Sequence, residues 1–317
     1  MKILHCCLAA VFVDRTGYQE NILPRMHRLQ GHDVAILAST ETYLNNLDLG
    51  YVEPAKYQTE DGIPVTRLAY TRWLPHKIAR KLRIYVGLTD SLESFEPDII
   101  FMHDCQFVDV RKVIRYIRKR GNVTVFVDGH TDFGNSGRNW VSKNILHRGI
   151  YRWCVKAVEP YTTRFWGTLP VREDFYHDVY GVDRKKISLL VMGADDTKIH
   201  WDQRATIRNT LRQSFGIADQ DLLLITGGKI DIRKNILALM KVVSQLDRSD
   251  IKLLLFGTPS KDIEDEFNKL SKHPHIRSIG WIDAEKVYDY FFAADLAIFP
   301  GTHSVLWEQA VGTGLPC

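Results

Sequence analysis

Apolar runs of five to nine residues alternate with segments of helical spacing from one end of the chain to the other. Lys2–Ala10 reads as a strand, 21–30 as a helix closed by Gly31, and Val34–Ser39 as a second strand. After Pro97, Asp98–Met102 reads as a short buried strand, 108–119 as a helix and Val123–Val127 as another strand. The rhythm returns later: strands at Leu222–Thr226, Lys252–Phe256, Arg277–Ile279 and Leu296–Phe299, with helices at 235–246, 261–271 and 284–293. Strands that are apolar throughout, not at every second position, are covered on both faces, which parallel sheets flanked by helices achieve. Two such series predict two doubly wound α/β domains. The polar stretch Asp195–Gln220, around a helix-like 203–214, separates them, so the expected domains are 1–195 and 196–317.

Composition agrees with a folded protein: 317 residues, 45% hydrophobic and 25% charged, long enough for two cores. No run approaches the roughly 18 apolar residues of a membrane span. The apolar start at Ile3–Val13 is broken by His5 and lacks a small-residue cleavage site, so it reads as a buried strand and not as a signal peptide. Five cysteines, none in CxxC spacing, suit a reducing cytoplasm without disulfides or zinc.

Charge is unevenly divided. Residues 1–195 carry 27 Lys and Arg against 22 Asp and Glu, whereas the remainder is close to neutral. Two acid-free basic runs lie in the first half: Arg72, Lys77, Arg80, Lys81, Arg83, and Arg111, Lys112, Arg115, Arg118, Lys119, Arg120. Such runs are commonly solvated helix faces. Their alternative is an anionic surface, a membrane or a lipid-linked phosphate, with Trp73 and Leu74 entering the interface. Nucleic acid is not expected, because no recognition motif accompanies the charge.

The chemistry-bearing segment of the second half is LITGGKIDIRKN, 224–235. An apolar strand runs into Gly227-Gly228, and Lys229, Arg233 and Lys234 follow. Glycines let backbone amides approach phosphate oxygens, and the carboxyl end of a strand is where open α/β sheets bind ligands. The pattern is neither GxGxxG nor Walker A. As a bare pattern it fits a tight turn followed by surface lysines equally well.

GGKIDIRKN resembles the Gly-(Arg/Lys)-x4-Lys loop of the family 4 glycosyltransferases, the retaining enzymes of the GT-B fold. Gly31-His32-Asp33-Val34 is similar to their GHEV, Val191–Asp195 to the motif that opens their interdomain linker, and Ala293–Pro300 to their AADVFVxPS strand. Glu308-Gln309-Ala310 with Gly312, Gly314, Leu315 and Pro316 is similar to EAMAxGxP. These segments stand in the family's order over essentially the whole chain. The resemblance implies a GT-B fold of two Rossmann-like domains facing a cleft, with an acceptor domain first and a nucleotide-sugar domain second. Gly312–Cys317 has the turn chemistry of a helix-to-strand connection, so the expectation is that the second sheet stops in mid-fold, in a shortened chain.

The resemblance also implies roles. Lys229 and Lys234 match the basic pair that holds the donor diphosphate and stabilises the charge on the departing group. Gly227, Gly228 and Arg233 belong to the same loop, and Glu308 matches the second glutamate of E-x7-E, which binds the ribose hydroxyls. The first glutamate is absent: Pro300 lies eight residues before Glu308, and His303 and Ser304 are the candidates to take over its contacts. Gly17 stands where the family has a Gly-rich loop facing the donor phosphates. After the Val123–Val127 strand, Asp128 or His130 aligns with the family's histidine near the reacting sugar, and His130 is preferred. His103 is a further candidate on the acceptor or sugar side. No metal or cofactor is expected beyond the nucleotide-sugar co-substrate, because the one DxD, Asp219-Gln220-Asp221, precedes its strand. The function implied is metal-independent retaining transfer to a glycan or lipid-linked acceptor. The alternatives are a sugar-nucleotide epimerase and a binding protein without turnover. The expected location is the cytoplasm, with possible attachment to the inner leaflet.

Overall fold

A computed structural model describes residues 1–44, 48–136 and 139–317. The chain divides into two compact units, Met1–Val191 and Met192–Cys317. The strands, in chain order, are β1 (Lys2–Cys7), β2 (Asp33–Ser39), β3 (Glu41–Leu44), β4 (Asp48–Tyr51), β5 (Lys56–Gln58), β6 (Pro64–Leu68), β7 (Ile99–His103), β8 (Thr124–Gly129), β9 (Thr162–Gly167), β10 (Ile187–Leu189), β11 (Leu222–Ile230), β12 (Ile251–Pro259), β13 (Ile276–Ser278) and β14 (Leu296–Ala297).

In the first unit eight strands form one sheet in the order β10-β9-β8-β7-β1-β2-β6-β5. All pairs are parallel except the edge pair β5–β6. β1 lies at the centre, with Ile3 to Cys7 all buried. The helix Val110–Arg120 shows why the basic run is helical: Val113, Ile114 and Ile117 recur at three- and four-residue spacing and are buried, while the bases point outward. Gly121, at φ 88°, ends it. β3 and β4 form a separate antiparallel hairpin. Neither this hairpin nor the edge strand β5 is announced by a long apolar run.

The second unit is a four-stranded parallel sheet, β13-β12-β11-β14. Two apolar clusters cover its faces, one including Leu223, Ile225, Phe256 and Phe291, the other Leu224, Ile236, Met240 and Phe267. An ion pair ties its first helix to the residue before the last strand: Arg212, 1% exposed, reaches the partly exposed Asp295 Oδ2 at 3.1 Å and donates to the carbonyls of Ala218 and Asp221. Asp295 also takes Arg208, 2.6 Å away, and the amide of Leu223 at 2.7 Å. Asp295, in the Ala-Ala-Asp segment, is thus a structural hinge pin of this unit.

The alternative of a tight turn at the glycines is corrected here. Gly227, Gly228 and Lys229 lie inside β11, in parallel register with Phe256, Gly257 and Thr258. The chain turns only at Asp231–Asn235, and the next helix spans Ile236–Leu246. The glycines are there for close approach. A Cβ on Gly257, whose φ is +115°, would fall 1.8 Å from the Gly228 carbonyl oxygen, and one on Gly227 2.5 Å from that of Phe256.

Candidate functional sites in the two units

In the C-terminal unit the residues beyond β11 converge on one loop. The Lys234 ammonium donates to the carbonyl oxygens of Thr302, 2.9 Å, and His303, 2.6 Å. That approach needs Gly301, since a Cβ there would meet the Arg233 carbonyl at 2.3 Å. Burial pulls the Lys234 ammonium below its ordinary range, and Asp231 only partly offsets this. The turn itself is built by Asp231, which accepts from the Arg233 amide at 2.9 Å and pairs with its guanidinium at 2.5 Å. Glu308 stands in the first turn of the helix Leu306–Gly312. Its Oε1 lies 2.7 Å from His303 Nε2, while Oε2 is buried with no hydrogen-bond partner among the described residues. Trp307 Nε1 is buried and unpartnered in the same sense, and its ring meets His303 edge-on. Gly228 faces Leu306, at the start of that helix.

The structure therefore brings Gly228, Lys234, His303 and Glu308 to one place. Arg233 is turned to Asp231. Ser304 shapes the turn into the helix, its carbonyl taking the Trp307 amide at 3.0 Å. Lys229 leaves β11 half-buried on the strand's last stretch. A buried carboxylate oxygen and an indole N–H without partners suit a hydroxyl-bearing ligand, because leaving them unmet costs about 1–3 kcal/mol each. Trp307 is a contributor that the sequence reading did not single out.

In the N-terminal unit the polar residues cluster at the carboxyl ends of β1, β7 and β8. Asp128 and His103, both wholly buried, face each other by parallel register, and His103 Nδ1 lies 2.8 Å from Asp128 Oδ2. His130 Nε2 lies 3.2 Å from Asp128 Oδ1 and 3.9 Å from Glu20 Oε1. Burial works against charge on His130, but Asp128 and then Glu20 outweigh it, and the imidazole is pushed up to about 9. Burial likewise opposes the Asp128 anion, yet His103 and His130 hold that carboxyl well below the usual range. Asp104, in a left-handed conformation at φ 61°, accepts from the His130 amide at 3.3 Å and from Thr131 Oγ1 at 3.2 Å. Burial pushes its carboxyl upward.

His103, Asp128 and His130 thus come together with Glu20 and Asp104. Gly17 lies in the loop between β1 and the helix Gln19–Leu29, three residues before Glu20. Among the described residues, Glu20, His103 and His130 also bring ligand-type atoms within 4.8 Å of one another, a grouping that DxD spacing could not have revealed. Both His103 nitrogens are already engaged, one by Asp128 and one by His5. The cluster is built for holding a charge at His130.

The basic runs need correction. Arg83 turns inward to the carbonyl of Gln106, 2.8 Å away, and over the ring of Tyr151. Lys119 and Arg120 pair with Glu93 of the helix Leu88–Phe95 and with Glu96, which caps its end. The run that lacks acids along the chain acquires them in space.

Residues 207–312 match the family described as "Glycosyl transferases group 1". The C-terminal unit is accordingly similar to that family over this segment, and the chain has the GT-B fold of the solved structures it resembles. Sucrose-phosphate synthase from Thermosynechococcus elongatus superposes with a TM-score of 0.65 at 16% identity, over 100% of this chain and 80% of that one. HepE of Anabaena, solved in complex with UDP, gives 0.66 at 13%, over 100% and 79%. WaaG, a glycosyltransferase involved in lipopolysaccharide biosynthesis, gives 0.65 at 14%, over 99% and 80%. No curated protein matches the sequence.

Proposed function

We propose that the protein transfers a sugar from a nucleotide-diphospho-sugar to a glycan or lipid-linked acceptor, with retention at the anomeric carbon and without a metal. The observation that carries this reading is the meeting of Lys234, His303 and Glu308 beyond β11, inside the segment that matches the glycosyltransferase family. In this reading the diphosphate takes the Lys234 ammonium from the two carbonyl oxygens it now holds. A dianion is the stronger partner for a half-buried ammonium. The ribose hydroxyls donate to Glu308, whose Oε2 waits without a partner. Lys229 adds positive charge on the departing diphosphate. His130, held as a cation by Asp128, stands on the sugar side with His103, and Gly17 lets the loop after β1 face the donor phosphates. In this reading no carboxylate among the described residues is assigned as a covalent nucleophile, and the route is same-face displacement assisted by the leaving phosphate.

Incubation with UDP-, GDP- and ADP-sugars tests this. Release of nucleoside diphosphate from one of them, lost in Lys234→Ala, is expected. No release from any of them, or equal release by the variant, contradicts the reading. Formation of an isomeric sugar nucleotide without acceptor would instead mark an epimerase. Nucleotide binding with no turnover on any donor would mark a binding protein.

The acceptor side is proposed to meet an anionic membrane surface. The helix His76–Leu82 packs beside Ser142–Tyr151, where the Tyr151 hydroxyl donates to the Lys81 carbonyl at 2.8 Å. Ile78 and Ile145 on these segments, and Trp73, Trp140 and Trp153 flanking them, are exposed. Lys77, Lys81, Arg148 and Arg152, on or next to the same segments, are exposed too. Interfacial tryptophans with bases are the pairing that headgroups accept. Among the described residues no helix is long and apolar enough to cross a membrane.

A further inference from the structure

The polar series inside the N-terminal sheet extends well past the residues that face a ligand. His27, half-buried on the helix Gln19–Leu29, places Nδ1 3.0 Å from His5 Nε2. His5, in the middle of β1 and wholly buried, places its own Nδ1 3.0 Å from His103 Nε2. His103 then meets Asp128 at 2.8 Å, and Asp128 meets His130 at 3.2 Å. Register explains the spacing: His5 pairs with Phe101 across β1 and β7, so His103 is the diagonal neighbour two residues on. A valine or isoleucine at position 5 would satisfy the sheet. Burying an imidazole there is costly unless both ring nitrogens are engaged, as they are.

The connectivity is head to tail, and it fixes where the hydrogens are. An ionised carboxylate only accepts, so a neutral His103 carries its hydrogen on Nδ1 and accepts on Nε2. His5 must then donate from Nδ1 and accept on Nε2, and His27 must donate from Nδ1. One carboxylate sets three tautomers in series, and the series ends at His27 Nε2 on the helix.

We propose that His27, His5 and His103 form a proton path between solvent at the helix Gln19–Leu29 and the Asp128–His130 pair. A proton binding at His27 Nε2 is matched by transfer of the His27 Nδ1 hydrogen to His5 Nε2. The His5 Nδ1 hydrogen passes to His103 Nε2, and the His103 Nδ1 hydrogen to Asp128 Oδ2. Each imidazole gains one N–H bond and loses one, a single proton is taken up in all, and the reverse passage returns it. When His130 is neutral, a half-turn of the carboxyl brings that hydrogen to the oxygen facing His130 Nε2, 3.2 Å away, and its transfer leaves Asp128 a carboxylate again and His130 a cation.

The surroundings favour neutral links. Burial first, then His103 and His27, hold His5 well below the ordinary histidine range. Burial, His32 and His103 lower His27 as well. The charged groups facing the inner end are Glu20, Asp104 and Asp128 around His130, with Arg83 beyond Asp104. Cys7, whose thiol burial pushes far up, adds no charge. His5 and His27 act through Asp128 and are not themselves catalytic. The path is independent of which sugar nucleotide, if any, binds the other unit. It would keep the charge on His130 in exchange with solvent while a substrate covers its exposed side.

Nitrogen NMR of the imidazoles in the whole chain tests the path near neutral pH. Hydrogens on Nδ1 of both His5 and His103 are expected, the less common form of a free imidazole. Exchange of the His103 Nδ1 hydrogen with water should slow at least about tenfold in His5→Gln, because an amide can bond to both neighbours yet cannot hand on a proton. His27→Gln, a change on the helix surface, should slow it similarly and serves if the His5 variant fails to fold. A hydrogen on Nε2 of either buried ring, or unchanged exchange in a folded variant, overturns the proposal.

Discussion

The two units solve the same problem, placing charge at the carboxyl end of a parallel sheet, in opposite ways. The N-terminal unit stores charge inside: Asp128 and His103 are wholly buried, and the contacts run unbroken from His27 to His130. The C-terminal unit brings little charge inside the sheet. It thins β11 and β12 with glycines, lets a loop fold onto Lys234, and leaves Glu308 Oε2 and Trp307 Nε1 unmet. The series from His27 to Asp128 Oδ2 is hydrogen-bonded throughout, while Asp128 Oδ1 and His130 Nε2 meet at ion-pair distance and, in the other unit, Glu308 Oε2 and Trp307 Nε1 are left open to a ligand. In the proposed reading the second unit supplies most of the affinity and the first the control of protonation.

The largest expected effect is on the thinned strands. Gly257→Ala puts a Cβ against backbone in a left-handed conformation and should destabilise the C-terminal unit by about 3 kcal/mol or more. Chemical denaturation would report it, and an unchanged midpoint would show that β11 and β12 can separate without cost. Next is Arg212→Met. It leaves Asp295 with Arg208 but strips the carbonyls of Ala218 and Asp221, for a loss of about 2–3 kcal/mol in the same assay.

The pH response of the N-terminal unit should carry two signs. His5 and His27 are lowered below 6.5 in the fold, so the unfolded chain binds more protons below that value. Their contribution is intact above about 6.5 and is lost as pH falls through the folded values. His130 is raised to about 9, so its contribution is complete below 6.5 and is lost as pH climbs from there through 9. Thermal melts across that range should show stability falling at both ends. His5→Phe should remove part of the acid limb, and Asp128→Asn the alkaline one. An acid limb that persists in full in His5→Phe would place it elsewhere.

The smallest effect concerns the basic face. Each Lys or Arg near an anionic surface contributes about 1 kcal/mol, so Lys77, Arg80 and Lys81→Glu together should weaken sedimentation with anionic vesicles several-fold. Arg80 already shares Glu41, which makes it the weakest of the three. Equal partitioning to neutral vesicles would remove the membrane from the account and leave the comparison of the two units untouched.

Much of this architecture can be read along the chain because buried parallel strands are apolar throughout, and β1, β2, β7, β8, β11 and β12 stand out accordingly. The hairpin β3–β4 and the edge pair of β5 do not, since half-exposed strands lack that signature. Gly227-Gly228 reads as a turn because glycine usually marks one. Only the partner strand reveals that Phe256 and Gly257 require the space. The loop chemistry of Lys234 and Glu308 is local enough to be marked by motif. The histidine series is not: His5 and His103 lie 98 residues apart, and only sheet register makes them neighbours. His5 is visible merely as one polar break in an apolar strand.

The central claim is that the C-terminal unit holds a nucleoside diphosphate between Lys234 and Glu308. Calorimetry of the whole chain with UDP and with GDP tests it most directly, comparing wild type with Lys234→Ala and Glu308→Gln. One of the two nucleotides should bind the wild type. Losing the charge-assisted contact should weaken it by about 2–3 kcal/mol in Lys234→Ala, roughly 30- to 150-fold, and less in Glu308→Gln. Wild-type heats no larger than dilution for both nucleotides, or affinities unchanged in both variants, would contradict the claim.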